Sequence, residues 1–221
     1  MKRLGIALLL ALLGAAAARA DPAMCRNGDF PASNPSPGLA KVVGAGRLYF
    51  QNDTGACPSE AAVCRQRAYV VAGNVVLTGQ SAGPYICAFF PNRVGGSAGY
   101  VPASRLTPLP VPAAPPLRAW VGHWADGDDT IDLKAKGAAL VADGAACWPS
   151  CHVSLQQAPG GPNVGELTGT ATPKGRTVVF TDDDPTGCTA TLTLVGDLLS
   201  VSDNGGCGGM NVSFTGVYSR K

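Results

Sequence analysis

The amino-acid sequence predicts an all-β protein built as a small barrel, a proline-rich linker, and an antiparallel barrel or curved sheet of eight or nine strands. Three observations support this prediction. The 221 residues include 29 glycines and 18 prolines, and only 14% are charged. Short runs of alternating apolar and polar residues are separated by turn residues. Eight cysteines divide evenly between the two sides of a proline-rich stretch.

Residues 1–20 are predicted to be a signal peptide. Lys2 and Arg3 precede an apolar run, and the Ala-Arg-Ala sequence ending at Ala20 fits a small-x-small cleavage site. The run of about 14 residues is shorter than the roughly 20 that a bilayer requires. We therefore expect cleavage after Ala20, no membrane span, and a bacterial protein that is periplasmic or secreted.

The charge balance gives no reason to expect a nucleic-acid partner. Three of the 17 basic residues lie in the predicted signal peptide, which leaves 14 basic residues against 15 acidic ones. Nucleic-acid binding needs a surplus or cluster of basic residues, and the sequence shows neither.

The cysteines predict four disulfide bonds, two in each domain, which fit an oxidising compartment. Four cysteines allow three pairings in each half, and among these we predict Cys25–Cys87, Cys57–Cys64, Cys147–Cys151 and Cys188–Cys207. His152 beside Cys151 offers a metal site as the alternative, but structural zinc sites usually show two closely spaced ligand pairs. We expect no metal and no cofactor.

The first domain is predicted over 41–107, after an extended arm over 21–40 that Cys25 ties down. Turn residues separate five short apolar runs, and this plan is typical of a small barrel. The predicted strands span 46–50, 68–71, 75–80, 85–90 and 99–101.

This domain resembles the bacterial SH3 (SH3b) family. The most specific part of the match is the ending Gly99-Tyr100-Val101-Pro102-Ala103-Ser104-Arg105-Leu106. The loop that carries Cys57 and Cys64 departs from the family pattern. The resemblance implies binding of cell-wall peptide, or of a partner protein, without catalysis. We predict an aromatic groove formed by Tyr49, Phe50, Tyr69, Phe89, Phe90 and Tyr100.

Residues 108–117 are predicted to be a linker. Proline at this density favours an extended, semi-rigid spacer. The linker prolines are Pro108, Pro110, Pro112, Pro115 and Pro116.

The second domain is predicted over 118–221 as consecutive strands joined by hairpins, such as the turn at Gly196-Asp197. This pattern favours an up-and-down barrel or a strongly curved sheet. The predicted strands span 119–124, 130–135, 139–147, 152–156, 165–172, 177–181, 188–195, 198–202 and 211–218.

Two motifs in this domain resemble known families. Gly122-His123-Trp124 with a late Arg220 resembles the calycin (lipocalin-like) barrel, in which an arginine covers the indole. The ending 203–212 resembles small exported domains of the lysozyme-inhibitor type. The glycine cluster beside Cys207 predicts an exposed loop, clamped by a disulfide, that would insert into the cleft of a partner. This loop is formed by Gly205, Gly206, Gly208, Gly209, Met210 and Asn211. The alternative is structural, because glycines also permit tight chain crossings.

The sequence carries no recognisable catalytic motif, and we predict that the protein is not an enzyme. His123 with the carboxylates of 126–129 is the only acid–base group that we consider, and a solvated turn is the simpler interpretation. Asp182-Asp183-Asp184 offers oxygens for calcium, but calcium needs six to eight of them.

We therefore expect a non-catalytic binding protein of the cell envelope that recognises peptidoglycan or an envelope protein. The alternatives are an inhibitor of a lysozyme-type hydrolase, which would act through the 205–211 loop, and a carrier of a small ligand inside the second barrel.

Overall fold

A computed structural model describes residues 24–92, 95–152, 161–182 and 187–221. Within these ranges the chain forms two antiparallel sheets, one of seven strands and one of eight. This confirms the predicted all-β fold class. The predicted signal peptide lies outside the described residues, as do most of the strand predicted over 152–156 and most of the acidic run at 182–185.

The first domain consists of a one-turn helix, α1 (Phe30–Ser33), and seven strands in the order β3-β2-β6-β5-β4-β1-β7. The strands are β1 (Gly38–Val42), β2 (Arg47–Gln51), β3 (Arg65–Val71), β4 (Val75–Ala82), β5 (Tyr85–Phe90), β6 (Ser97–Pro102) and β7 (Leu106–Leu109). Five of them correspond to the predicted strands. Their inward residues, among them Phe50, Val70 and Val101, form a buried apolar cluster.

The prediction missed β1, β7 and α1, because prolines hide the strand pattern there. The segment 21–40 is not simply an extended arm, since it contains α1 and the start of β1. Strand β7 begins the predicted linker and pairs Pro108 with Ala40 of β1. It lies at the edge of its sheet, where a proline is tolerated because no neighbour needs its missing N–H.

The second domain is an eight-stranded meander whose first and last strands pair with each other. The strands are β8 (Gly122–Asp126), β9 (Asp129–Lys136), β10 (Ala139–Trp148), β11 (Asn163–Ala171), β12 (Thr177–Thr181), β13 (Thr189–Val195), β14 (Leu198–Asp203) and β15 (Gly216–Arg220). Their order is β11-β10-β9-β8-β15-β14-β13-β12, and the edge strands β11 and β12 lie side by side. The sheet is therefore nearly closed into a barrel.

Large apolar side chains fill the interior of this barrel. Trp124, Phe180, Phe214 and Tyr218 are at most 1% exposed and belong to one core cluster. Their polar atoms have internal partners: the Trp124 indole donates to the Trp120 carbonyl at 2.9 Å, and the Tyr218 hydroxyl donates to the Phe214 carbonyl at 3.0 Å. The interior is thus a packed core in which these two groups are satisfied, whereas the indole N–H of the buried Trp120 has no hydrogen-bond partner among the described residues.

Arg220 covers the indole of Trp124, as the Gly-x-Trp motif predicts. The guanidinium carbon lies 4.4 Å from the ring centroid, and the guanidinium donates hydrogen bonds to the carbonyls of Ala119 and Val121. Gly122 has φ +148°, and a Cβ atom there would lie 2.6 Å from Nη1 of Arg220. The motif glycine is therefore needed to admit the arginine.

The predicted last strand, 211–218, begins only at Gly216, because the preceding residues bind Asp203 instead of a neighbouring strand. The Asp203 carboxylate accepts the Phe214 N–H at 2.6 Å and the hydroxyls of Ser213 and Thr215 at 3.0 and 3.2 Å. These bonds turn the chain before it joins the sheet.

The helix α1 lies between the two sheets. Phe30 is fully buried, and its ring centroid lies 5.4 Å from that of Phe89. Val195 and Val217, on the outside of the barrel, belong to the same buried cluster. The two domains therefore share an apolar contact that includes the N-terminal segment.

The linker follows this contact and does not hold the domains apart. Val111 packs against the interdomain cluster, and Leu117 packs against the barrel core. Arg176 of the second domain donates a hydrogen bond at 2.5 Å to the carbonyl of Pro37, which precedes β1. The extended backbone expected of a proline-rich segment is thus combined with fixed contacts to both domains.

All four predicted disulfide bonds are confirmed: Cys25–Cys87, Cys57–Cys64, Cys147–Cys151 and Cys188–Cys207. They leave no free cysteine in the described part of the chain. Four such bonds fit a protein exported to an oxidising compartment. The described residues contain no helix long and apolar enough to cross a membrane.

Candidate functional site

The structure does not gather the six predicted groove aromatics on one surface. Phe50, Phe89 and Tyr100 are at most 1% exposed and pack inside the first domain, and Phe90 is partly buried against its core. Core packing competes for aromatics in a small domain, and it takes these four side chains. The predicted groove is therefore reduced to Tyr49 and Tyr69.

Tyr49 and Tyr69 face each other across β2 and β3, with ring centroids 5.6 Å apart. The guanidinium of Arg47 lies 4.5 Å from the Tyr69 ring, and that of Arg65 lies 4.4 Å from the Tyr49 ring. We call these four side chains the arginine–tyrosine row. A hydrogen bond from Arg47 lowers the pKa of the Tyr49 hydroxyl.

A cavity of about 640 Å³, lined by both polar and apolar atoms, lies on another side of the first domain, beside Asp53. The carboxylate of Asp53 accepts the backbone N–H of Cys25 at 2.9 Å and pairs with Arg26 at 3.0 Å. Burial acts to raise the pKa of Asp53, but these hydrogen bonds and the charge of Arg26 outweigh it and lower the pKa. Because the pair satisfies both charges, we assign Asp53 a structural role in holding the N-terminal segment.

The predicted inserting loop packs against the end of β11. Gly208 forms a backbone bridge with Gly165, and a Cβ atom on Gly208 would lie 2.6 Å from Cα of Gly165. Asn163 donates to the Met210 carbonyl at 2.7 Å, and the N–H of Gly209 donates to the Val164 carbonyl at 3.1 Å. Gly205 and Gly206 remain exposed, and Asn211 adopts a positive φ of 64°. The loop therefore agrees in part with the structural interpretation, because Gly208 and Gly209 are fixed against β11. It agrees in part with the inserting-loop interpretation, because Gly205 and Gly206 face solvent.

This end of the barrel carries exposed apolar side chains. We define it as the barrel rim, formed by residues 126–129, 147–152, 161–166 and 203–216. Trp148 is 47% exposed, Val164 is 59% exposed and Met210 is 77% exposed. Trp148 pairs with Asn163 across β10 and β11, and the same Asn163 holds the Met210 carbonyl. Sequence reasoning missed Trp148 and Val164, because a strand pattern does not tell which strand ends stay uncovered.

The rim is acidic, whereas the opposite end of the barrel is basic. Described rim segments contain no lysine or arginine, and their acidic residues are Asp126, Asp128, Asp129, Asp203 and Glu166. The opposite end carries Lys134, Lys136, Lys174, Arg176, Arg220 and Lys221 against two acidic residues, Asp132 and Asp197. The charge therefore changes sign along the barrel, although the chain as a whole is nearly neutral.

Two rim carboxylates bind a proton more tightly than a free carboxyl does. Burial raises the pKa of Asp129 to about 6, and the neighbouring charges of Asp126 and Asp128 add to this. Burial also raises the pKa of Asp126. Asp129 accepts the Cys147 N–H at 3.1 Å, and Asp126 accepts the Val217 N–H at 3.2 Å. The negative charge of the rim consequently increases as the pH rises toward neutrality.

The structure does not assemble the acid–base group considered at His123. Nδ1 of His123 lies 3.0 Å from Asp132 on the surface of the sheet, toward the basic end. The carboxylates of 126–129 lie at the rim, beyond the other end of β8. Among the described residues there is no cluster of three or more histidine, cysteine or acidic side chains that is arranged to hold a metal ion.

Comparison with known proteins found no matching family model, no matching curated protein and no matching solved structure. The SH3b-like and calycin-like resemblances stay predictions. The function is therefore inferred from the residues and the geometry of the candidate site.

Proposed function

We propose that this is a non-catalytic binding protein of the cell envelope, periplasmic or secreted, which contacts a partner protein through the barrel rim. One observation carries the proposal: Trp148 and Met210 stay exposed on segments that disulfides and side-chain hydrogen bonds hold in place. Tryptophan and methionine are enriched at protein interfaces, and tryptophan is among the residues that most often supply much of the binding energy.

The rim is preorganised for binding. Cys147–Cys151 closes the segment that carries Trp148, and Cys188–Cys207 anchors the loop that carries Met210. Asp203 adds hydrogen bonds to Gly205, Ser213 and Phe214 on either side of the loop. A partner would therefore not bear the entropy cost of ordering these segments, which is a large part of what association costs.

The charge of the rim favours a basic partner. Carboxylates surround the exposed apolar residues, and charge complementarity both accelerates encounter and excludes acidic proteins. A cationic protein with an apolar cleft fits this surface. This chemistry supports the more specific hypothesis of an inhibitor of a lysozyme-type hydrolase, in which the 205–211 loop faces the cleft of the enzyme.

Titration of the protein against a panel of lysozymes tests this proposal. We expect binding at micromolar concentration or tighter, and about a tenfold loss in Trp148→Ala and in Met210→Ala, because hot-spot truncations cost more than 1 kcal/mol. Val179 is 45% exposed on the barrel wall away from the rim, so Val179→Ala is the matched control.

Absence of binding and inhibition at micromolar concentration would exclude a lysozyme partner. Equal affinities of the folded rim variants and of the control would exclude the rim as the contact surface.

Recognition of peptidoglycan by the first domain is the second candidate, supported by the contact between the exposed Tyr69 and the half-buried Tyr49. Co-sedimentation with purified sacculi tests it, and protein that stays in the supernatant at both low and high salt contradicts it. The carrier alternative gains no support from the second barrel, because Phe180 and Phe214 occupy its interior and the 205–211 loop packs at its rim.

A further inference from the structure

The arginine–tyrosine row places two arginines on one face of the first domain. Arg47 and Arg65 lie at opposite ends of the tyrosine pair, and both are exposed. Arg67 of the same strand is also exposed. Within the described residues, neither Arg47 nor Arg65 forms a salt bridge with a carboxylate. The acidic residue that follows β2, Asp53, is already paired with Arg26.

The tyrosine rings fix the orientation of the two guanidinium groups. An arginine that stacks on an aromatic ring uses its flat face for that contact and keeps its N–H edge available. The N–H edge of a guanidinium matches the two oxygens of a carboxylate, with which it forms paired hydrogen bonds. Arg47 donates one hydrogen bond to the Tyr49 hydroxyl and keeps its other N–H groups. The row therefore presents two donor groups on a pair of strands, and neither has a carboxylate partner among the described residues.

We propose that the arginine–tyrosine row binds a linear polymer that carries carboxylate groups at intervals along its chain. Each guanidinium holds one carboxylate, and the tyrosine pair between them supports the intervening segment of the polymer. This site is separate from the barrel rim and carries the opposite charge, so it does not depend on the function proposed for the rim.

Fluorescence anisotropy with labelled poly-L-glutamate tests the proposal, with polyphosphate and neutral dextran as comparison polymers. We expect poly-L-glutamate to bind at low salt, more tightly than polyphosphate, and dextran not to bind. The double variant Arg47→Gln/Arg65→Gln is expected to bind about tenfold more weakly, since each exposed charge contact contributes little alone. Both side chains are exposed, so the variant should fold, and circular dichroism verifies this.

Two further variants separate an oriented site from general positive charge. Arg118→Gln removes one exposed positive charge from the segment before β8 and should leave the affinity within about twofold of the wild type. Arg47→Lys/Arg65→Lys keeps the charge but loses the planar N–H edge, and should lose most of the affinity.

Three results would overturn the proposal. The first is no binding of poly-L-glutamate, and the second is equal binding by the wild type and the double glutamine variant. The third is tighter binding of polyphosphate, which would assign the row to phosphate groups. Full affinity in the double lysine variant would show that the site responds to charge alone and would remove the role of stacking.

Discussion

Replacement of Arg220 by alanine should destabilise the second domain by about 2 kcal/mol. The cation–π contact with Trp124 contributes about 0.5–1 kcal/mol at an exposed site, and each hydrogen bond to a carbonyl contributes a similar amount after solvent screening. The two domains share a buried cluster, so they should unfold together, and for a unit of this size we expect the melting temperature to fall by about 4–8 °C.

Gly122→Ala provides an internal check on this reasoning. Its methyl group would occupy the position of the Arg220 guanidinium and displace it, and a side chain at a φ of +148° also strains the backbone, so Gly122→Ala should cost more than Arg220→Ala. Because the arginine contact can be lost only once while the backbone strain remains, the double variant should be about as stable as Gly122→Ala alone.

Thermal unfolding followed by circular dichroism, with the disulfides intact, measures all three variants against Arg118→Ala, an exposed arginine before β8. A shift of less than about 1 °C in Arg220→Ala would refute the estimate. Full additivity of Arg220→Ala and Gly122→Ala would refute the shared contact.

Three further predictions concern the packing of the rim and of the domain contact. Burial raises the pKa of Asp129 to about 6, so this carboxyl adds stability below pH 4 that is lost as the pH rises through 6. Asp129→Asn should therefore stabilise the protein by about 2 kcal/mol at pH 7.5 and have little effect at pH 4. Equal effects in urea unfolding at both pH values would contradict this prediction. Asp203→Ala leaves the Phe214 N–H unpaired and should lower the free energy of unfolding in urea by about 2–3 kcal/mol. It should also make the 205–211 loop sensitive to protease, and an unchanged cleavage rate would contradict the anchoring role of Asp203. Phe30→Ala should lower the free energy of unfolding by about 3–4 kcal/mol and reduce hydrogen-exchange protection on both sides of the domain contact. Loss of protection in the first domain alone would show that the two domains do not share this contact.

Local patterns carried the sequence prediction furthest. Period-two alternation located most strands of the second domain, because one face of each strand meets a single interior. Short separations in sequence restricted the pairings of Cys57–Cys64 and Cys147–Cys151, and these pairs are present. The contact between Arg220 and Trp124 was expected only from the resemblance of Gly122-His123-Trp124 and Arg220 to the calycin pattern.

What the sequence could not supply depends on contacts between distant segments. Phe30 lies in a proline-rich segment with no periodicity, and only the barrel surface that it meets gives it a role. The groove prediction was too broad because an aromatic in a small domain has the same local pattern whether it is buried, like Tyr100, or exposed, like Tyr69. Exposure of Trp148 likewise depends on where the strands of the barrel end.

The change of charge sign along the second barrel gives the domain an electric dipole parallel to the barrel axis. The electric field of a basic protein nearby exerts a torque on this dipole. The torque turns the rim toward that protein before any contact forms. In the complex proposed above, the dipole would set how often the two molecules meet in the correct orientation, and the exposed Trp148 and Met210 would set how long they stay together. Added salt should consequently slow association strongly and change the lifetime of the complex little.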